Sequence, residues 1–326
     1  MTNTFRMLML TGALAGAFAV STGAAAKEIT VALASTFTTM DPYDAGDTLS
    51  QNSAKSMYEG LFGLDKDMKL KNALATGYEV SKDGLVYTVT LRKGVMFHDG
   101  TEFKADAVKA NFDRVTNKDN ALRRYTLYMN IAKTEVVDDY TVRITLHTPF
   151  SAFINQLAHP AGVMICPKSL EKYPGKQIAF HPCGTGPYIL KDYNPSEILH
   201  VVKNPNYWQK GLPKLDGIYF KPVPENSTRV AMLRTGEAQF IFPVPPEQAK
   251  TLTGSDNLEV TVSPSIIERY VAFNTKIKPF NDVRVRKALN YAVNKEALAK
   301  VAFSGYAVPA TGSAPEGVDY AKVYEP

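Results

Sequence analysis

Cysteine and tryptophan are scarce in this sequence of 326 residues, with two copies of the first and one of the second. Two thiols cannot build the multiply bridged scaffold of a small secreted domain, nor a four-cysteine zinc site. Histidine is nearly as rare, with five scattered copies. Cys166 and Cys183 lie close in sequence to His159 and His181, but the spacing matches neither paired C-x-x-C nor H-x-x-x-H, and no metal site is expected. The two cysteines are then either a disulfide, which an oxidising compartment permits, or small residues in a loop punctuated by proline.

The signatures of common enzymes are missing too. There is no G-x-S-x-G elbow, no G-x-x-x-x-G-K-[ST] loop and no H-E-x-x-H pair. Gly184-Thr185-Gly186-Pro187 wants the third glycine of a dinucleotide loop, and Pro187 blocks the helix start such a loop needs, so it reads as a turn. His98 beside Asp99 reads as turn chemistry, since no nucleophile is recognisable nearby. No cofactor is expected. Charge is also undistinctive: 37 Lys and Arg against 32 Asp and Glu, interspersed without basic runs. That gives nucleic-acid binding no support, while a mildly basic surface suits an anionic ligand.

What is present begins at the N-terminus. Arg6 precedes an apolar run from Met7 to Val20 and a small-residue stretch ending Ala24-Ala25-Ala26. A positive start, a short apolar core and an A-x-A site make a secretory signal over residues 1–26, with the mature chain starting near Lys27. Cleavage is favoured over an uncleaved anchor, and the absence of cysteine at the boundary argues against a lipid anchor. No later stretch approaches the ~20 apolar residues of a membrane-spanning helix. The remaining ~300 residues exceed the usual ~100–200 of a single core, so two lobes or a subdivided domain are expected.

Glu28–Leu33 (EITVAL) has the pattern of a strand, followed by a polar loop broken at Pro42. Loops at the carboxyl ends of strands in open α/β sheets are where ligands collect. Asp47 or Thr48 is placed to cap a helix running to about Leu61. Period-two alternation around Lys82-Asp83-Gly84 predicts a hairpin, Lys104–Val115 a helix, Thr134–Leu146 a second hairpin and Phe150–Leu157 a short helix. Strand patterns recur at Tyr188–Tyr193, Ile198–Val202, Ile218–Val223, Leu258–Ser263 and Arg269–Asn274, with a helix at Ser227–Thr235 ended by Gly236. Asp282–Phe303 carries one long apolar stripe and predicts a single helix capped by Asn281.

From Tyr78 to Asn111 (YEVSKDGLVYTVTLRKGVMFHDGTEFKADAVKAN) the chain resembles the bacterial solute-binding proteins for dipeptides, oligopeptides, nickel complexes and glutathione. Asn204-Pro205-Asn206-Tyr207-Trp208, the Gly184–Tyr188 turn, Arg229–Phe240 and Arg269–Leu298 agree with the same family in order. The variable runs FTTMDPYDAGDTLSQ, YEGLFGLDKDMKLKN, RRYTLYMNIAKTE, PFSAFINQLAHPA, TGEAQFIFPVPPEQA and SPSIIERY resemble most its glutathione-binding members.

The resemblance implies an α/β, two-lobed periplasmic binding protein fold with an extra subdomain in the first lobe. It divides the chain into a first lobe at 27–264, with the inserted subdomain at roughly 65–185, and the start of a truncated second lobe at 265–326. It implies a non-catalytic periplasmic protein, a monomer, that hands glutathione or a short peptide to an ABC permease and its ATPase subunits. Another short peptide or an opine-like anion is the alternative ligand, and an enzyme or adhesin the alternative class. A chain ending at Pro326 is expected to leave the stripe of the 282–303 helix exposed and to bind weakly.

Glutathione carries two carboxylates and an ammonium, which calls for a guanidinium and neutral donors. Arg124, with Tyr125 beside it, lies in a loop resembling one that lines the cleft in carboxylate-binding relatives. Phe37, Thr38 and Thr39 follow the first strand and are expected at the cleft mouth. Ser265, Arg269 and Tyr270 fall where the chain would cross between lobes, Arg269 being a second candidate carboxylate partner. Trp208 reads as core packing.

Overall fold

The computed structural model describes residues 27–65, 69–255, 257–263 and 267–312. Strand β1 spans Glu28–Leu33, as its apolar run requires. Helix α1 (Thr48–Ala54), the small pair β2 (Phe62–Leu64) and β3 (Leu70–Asn72), and the hairpin β4 (Ala75–Val80) and β5 (Val86–Leu91) follow. Helix α2 (Ala105–Thr116) and the single turn α3 (Tyr125–Tyr128) lead to the hairpin β6 (Ile131–Asp138) and β7 (Thr141–Leu146). Two short helices, α4 (Phe153–Leu157) and α5 (Pro167–Lys172), precede β8 (Tyr188–Asn194), β9 (Ile198–Lys203) and β10 (Gly217–Pro222). Then come α6 (Asn226–Thr235), β11 (Phe240–Phe242), α7 (Pro246–Thr253), α8 (Val283–Ala292) and α9 (Lys295–Ala302).

The larger sheet has the order β11-β1-β10-β9-β8, with β1 parallel to both β10 and β11 and the other pairs antiparallel. Its centre is covered on both faces. Val31 and Leu33 of β1 face the main core with Leu199 and Val201, while Ala32 joins the cluster of Val230 and Met232 of α6 and Ile241 of β11. That two-sided burial is why Val31-Ala32-Leu33, the buried half of β1, is apolar without alternation. From the end of β1 the chain turns to α1 on one face, and from the end of β10 to α6 on the other. Neighbouring parallel strands that send their chains to opposite faces open a crevice beyond their carboxyl ends.

The second sheet, β4-β5-β7-β6, is antiparallel throughout. Tyr87, Val89 and Leu91 of β5 and Val142, Ile144 and Leu146 of β7 bury one face, against which α2 lays Val108, Phe112 and Val115. The turn between β4 and β5 places Gly84 at φ 71°, a left-handed conformation that suits Asp-Gly. Both sheets contribute to one continuous cluster of buried apolar side chains.

One half-buried carboxylate ties the two together. Glu59 accepts hydrogen bonds from the Thr185 hydroxyl (2.9 Å), the Tyr207 hydroxyl (2.7 Å) and the Trp208 indole (2.8 Å). Arg92 stacks on that indole at 4.5 Å. Burial pushes the Glu59 carboxyl above its ordinary value, with the three donors and Arg92 opposing it. The Gly184–Gly186 turn is pressed against the residues just before Glu59. A Cβ on Gly184 would fall 2.3 Å from the Met57 carbonyl oxygen, and one on Gly186 2.5 Å from the Met57 carbonyl carbon. The glycines are needed for this close backbone approach, in keeping with a turn. His98 holds the turn from the other side: its Nδ1 accepts from the Gly184 amide (3.3 Å) and its Nε2 donates to the Gly186 carbonyl (3.0 Å). Burial lowers the His98 pKa, which keeps the ring in the neutral form this pairing needs.

Several expectations need correction. The helix from Asp47 stops at Ala54, because Met57 and Ser56 turn their carbonyls to the Gly186 and Tyr188 amides instead of continuing a helical ladder. The long helix at 282–303 is two helices, capped by Asp282 and not by Asn281. Its break is Asn294, whose side chain accepts from the Ala297 amide and starts α9 in place of extending α8. Leu258–Ser263 and Arg269–Asn274 pair with no strand among the described residues, and a strand pattern without a ladder partner does not make a strand. The exposure expected for the apolar stripe of 282–303 is met: neither α8 nor α9 buries a residue, and Val301 is 82% exposed. Cys166 and Cys183 are joined as a disulfide.

Glu59→Gln is expected to cost about 1–3 kcal/mol in denaturant unfolding, because an amide cannot accept from all three donors that converge on the carboxylate. Trp208, the sole tryptophan, should report the change in native-state emission, and unaltered stability and emission would remove Glu59 from this role. Replacing both cysteines by serine should lower stability by about 3 kcal/mol in the chain-entropy model, read from the same unfolding curves.

Candidate functional site

The loop leaving β1 is anchored before it can serve a ligand. Asp41, buried, accepts from the Tyr43 amide (3.1 Å) and takes a two-pronged contact from Arg114 of α2, Nη2 at 2.6 Å and Nη1 at 3.2 Å. Asp47 caps α1 by accepting from the Ser50 amide (2.8 Å) and also accepts from the Thr38 hydroxyl. Thr39 accepts from the Asp41 amide through its hydroxyl (3.1 Å). Thr38 is exposed and Thr39 half-buried, as residues at a mouth would be. Phe37 is not at the mouth. It is 3% exposed, with its ring 6.1 Å from that of Tyr193, because the Phe37 amide is drawn to the Pro195 carbonyl.

Arg124 heads α3 over this loop. Its amide donates to the Tyr43 carbonyl (3.1 Å), and its Nε and Nη2 both donate to the Ala45 carbonyl (3.0 and 2.7 Å). One edge of the guanidinium thus holds the loop, while Nη1 has no hydrogen-bond partner among the described residues. Tyr125 follows, half-buried. Arg123 lies across Gly46, where a Cβ would come within 2.6 Å of its Nη1, so a larger residue there would displace the Arg123 side chain.

Three residues not singled out as ligand contacts, Lys55, Tyr128 and His159, stand in the electrostatic neighbourhood of Arg124. His159, in the turn after α4, feels the positive charges of Arg124 and of Lys55 at the end of α1. Burial first, then those two charges, lower its pKa to about 4. Its Nδ1 accepts from the Ala161 amide (3.0 Å), so the neutral ring carries its proton on Nε2 and is a donor. Tyr128 completes the group. Its hydroxyl is buried with no partner, the residue is 1% exposed, and Arg124 acts on it electrostatically. Gly162 lets the turn close over it, since a Cβ there would lie 2.9 Å from that hydroxyl. A guanidinium edge, an ammonium and a neutral imidazole donor, with no carboxylate among the charges acting on His159, suit an anion. Residues 55, 124 and 159 come from three separate segments, and no local pattern links them.

The other candidates lie apart. Arg269 and Tyr270 are exposed, Tyr270 at 81%, and make no hydrogen bond or ion pair with the Arg124 group among the described residues. Ser265 lies outside the described residues. Trp208 is tied to Glu59 and packs against the main core, as expected. His181 stacks on Tyr173 at 3.6 Å, and the disulfide occupies both sulfurs, so the Cys/His grouping is not assembled.

A mixed α/β unit whose cationic group lies in the loops beyond β1, anchored by contacts that leave it pre-formed, has the architecture of a ligand-binding lobe. Comparison with known proteins narrows the class. The chain belongs to the bacterial extracellular solute-binding proteins of family 5, whose family model matches residues 69–326. It is 61% identical over 313 residues to the glutathione-binding protein GsiB of Salmonella choleraesuis and 59% identical to that of Escherichia coli O157:H7. Those alignments cover 96% of this chain, which spans 61% of the length of the curated relatives it matches. Among solved structures it resembles the periplasmic binding protein DppA of Helicobacter pylori in complex with the peptide STSA, with TM-score 0.81 and 30% identity over 91% of this chain and 63% of the other. It also resembles a Pseudoalteromonas dipeptide-binding protein in complex with Met-Leu, with TM-score 0.82 and 27% identity over 89% and 62% of the two chains. The fold is that of the two-lobed periplasmic binding proteins of this family.

The His159 pKa makes an acid-side prediction. Folding holds the ring neutral down to about pH 4, whereas the unfolded chain binds a proton below about 6.5. Stability should therefore fall as pH drops through that window. His98 adds to the same slope, so the diagnostic quantity is the difference: His159→Gln should flatten the curve of unfolding free energy against pH between about 6.5 and 4. An unchanged slope would show that His159 titrates normally.

Proposed function

We propose that this chain carries the first-lobe part of a periplasmic binding protein that captures glutathione and delivers it to an ABC permease with its ATPase subunits. The observation that carries the reading is the grouping of Arg124, Lys55 and His159 beside an unpartnered Tyr128 hydroxyl. Glutathione, with two carboxylates and one ammonium, presents the excess negative charge that such a group favours. Likeness to relatives named for glutathione supports that ligand over other anions. A related binding protein from Agrobacterium, solved with agropinic acid, keeps an opine-like anion as the competing ligand.

In this reading the Arg124 guanidinium holds a ligand carboxylate through its free edge while its other edge keeps the loop in place. Neutral His159 donates from Nε2, and Lys55 adds a flexible charge. Thr38, Thr39 and Tyr125 border the entrance. Arg269, Tyr270 and Ser265 would act from the far side of a cleft, so that a ligand touching both sides favours the closed form by its differential contacts. The protein acts as a monomer and returns its ligand chemically unchanged.

Mass spectrometry of small molecules co-purifying with the protein from periplasmic extract should detect intact glutathione, and an opine in its place would overturn that ligand. In calorimetry, Arg124→Ala should weaken binding by at least about 2 kcal/mol, roughly 30-fold. Unchanged affinity would remove Arg124 from the site.

A further inference from the structure

The first described residue makes a contact that its position alone does not require. The Lys27 backbone nitrogen donates to Asp216 Oδ2 at 2.8 Å, and the Asp216 amide donates back to the Lys27 carbonyl at 2.9 Å. Lys27 immediately precedes β1 and Asp216 immediately precedes β10, so this reciprocal pair sits one step before the first rung of the parallel ladder, Glu28 with Gly217. A parallel ladder pairs backbone with backbone. Here a side-chain carboxylate takes the place of the carbonyl at the end of the ladder, and the atom it grips is the nitrogen of the expected first mature residue.

We propose that Asp216 is a docking site for the α-ammonium created when residues 1–26 are removed, so that export processing itself strengthens the mature fold. The step is a peptide hydrolysis: signal peptidase adds one water across the Ala26–Lys27 bond, leaving a carboxylate on Ala26 and an ammonium on the Lys27 nitrogen. The same atom changes from a neutral donor with one hydrogen to a cation with three. Its bond to Asp216, already charge-assisted through the carboxylate, becomes an ion pair in which both partners carry charge. Before cleavage Asp216 accepts from an ordinary amide, and the first rung is weaker.

The surroundings are suited to such a switch. Lys203, at the end of β9, donates its amide to the Asp216 carbonyl (2.8 Å) and keeps its ammonium 3.9 Å from Asp216 Oδ1. Tyr188 faces Asp216 from β8 and feels its charge. Glu28 is directed away, towards His200 (3.5 Å) and the Tyr219 hydroxyl. Oδ2 is thus left to the Lys27 nitrogen, and the Asp216 side chain is 46% exposed, within reach of a newly cut terminus.

The proposal rests on cleavage after Ala26, which intact-mass analysis of the exported protein tests separately. A first residue other than Lys27 overturns the proposal without bearing on ligand binding. Given Lys27 first, the test is a cycle of four proteins: chains starting at Lys27 or at Ala26, each with Asp216 or with Asp216→Asn. Asn keeps an acceptor for the amide and should fold. An α-amine normally titrates near 7.7–8.0. Pairing with Asp216 should raise that value in the chain starting at Lys27, read by NMR after isotopic methylation, and Asp216→Asn should return it. Because the folded value is the raised one, the stabilisation is fully present below about pH 7.7 and is lost as pH rises through the folded value. Starting at Lys27 instead of Ala26 should raise Tm by about 1–3 °C with Asp216 and by nothing with Asn at neutral pH. An unshifted α-amine, or a gain in Tm that survives Asp216→Asn, overturns the proposal. Lys203→Gln should enlarge the shift if its ammonium competes for the carboxylate.

Discussion

The junction of the two sheets leans on the satisfaction of one half-buried carboxylate, that of Glu59. Taking Glu59 out of water is costly unless each lone pair meets a donor. Thr185, Tyr207 and Trp208 supply those donors from two distant loops, and Arg92 supplies charge from beyond β5 by way of the indole. The Gly184–Gly186 turn, the Asn204–Trp208 segment and the Tyr58–Phe62 run therefore have to converge on one spot. His98 clamps the same turn from the second sheet's side. The two sheets share a core because this polar centre fixes where their connecting loops meet.

The proposed binding surface hangs from that frame by a buried charge contact. Asp41 and Arg114 join the loop after β1 to α2, which is packed on the second sheet. With the loop held, Ala45 presents its carbonyl to Arg124 and orients the guanidinium. The crowding of positive charge around His159 is tolerated because the ring remains neutral, and a neutral imidazole contributes a donor without adding repulsion. An arriving anion would relieve that repulsion. That relief is the physical basis on which the proposed site would favour negative charge.

The strands and hairpins were legible because their causes are local. Val86 to Leu91 alternates with period two, Asp83-Gly84 supplies the left-handed turn, and Glu28–Leu33 is apolar on both faces. Arg124 was legible as a candidate only through family resemblance, and the structure gives it a physical setting. Lys55, Tyr128 and His159 were not legible as partners, since they stand on the exit from α1, on α3 and on the turn after α4, with nothing in their spacing to connect them. Phe37 was misjudged for a similar reason: proximity to the end of β1 suggested the mouth, but contact with Tyr193, far along the chain, drew it inside.

By itself the sequence determined the family, the order of most elements and the positions of turns, because each of these follows from short-range pattern: periodicity, glycine and proline placement, and motifs read in series. Only the tertiary structure decided where helices end, that Cys166 and Cys183 are bonded, and which polar groups share a site. Those outcomes depend on competition between a local preference and a distant partner. At Met57 the Gly186 amide outcompetes the helix, and at Asn294 the side chain ends one helix by starting another. The scarcity of cysteine and tryptophan excluded whole classes of protein, but it took the fold to show that both cysteines and the single tryptophan hold loops in place.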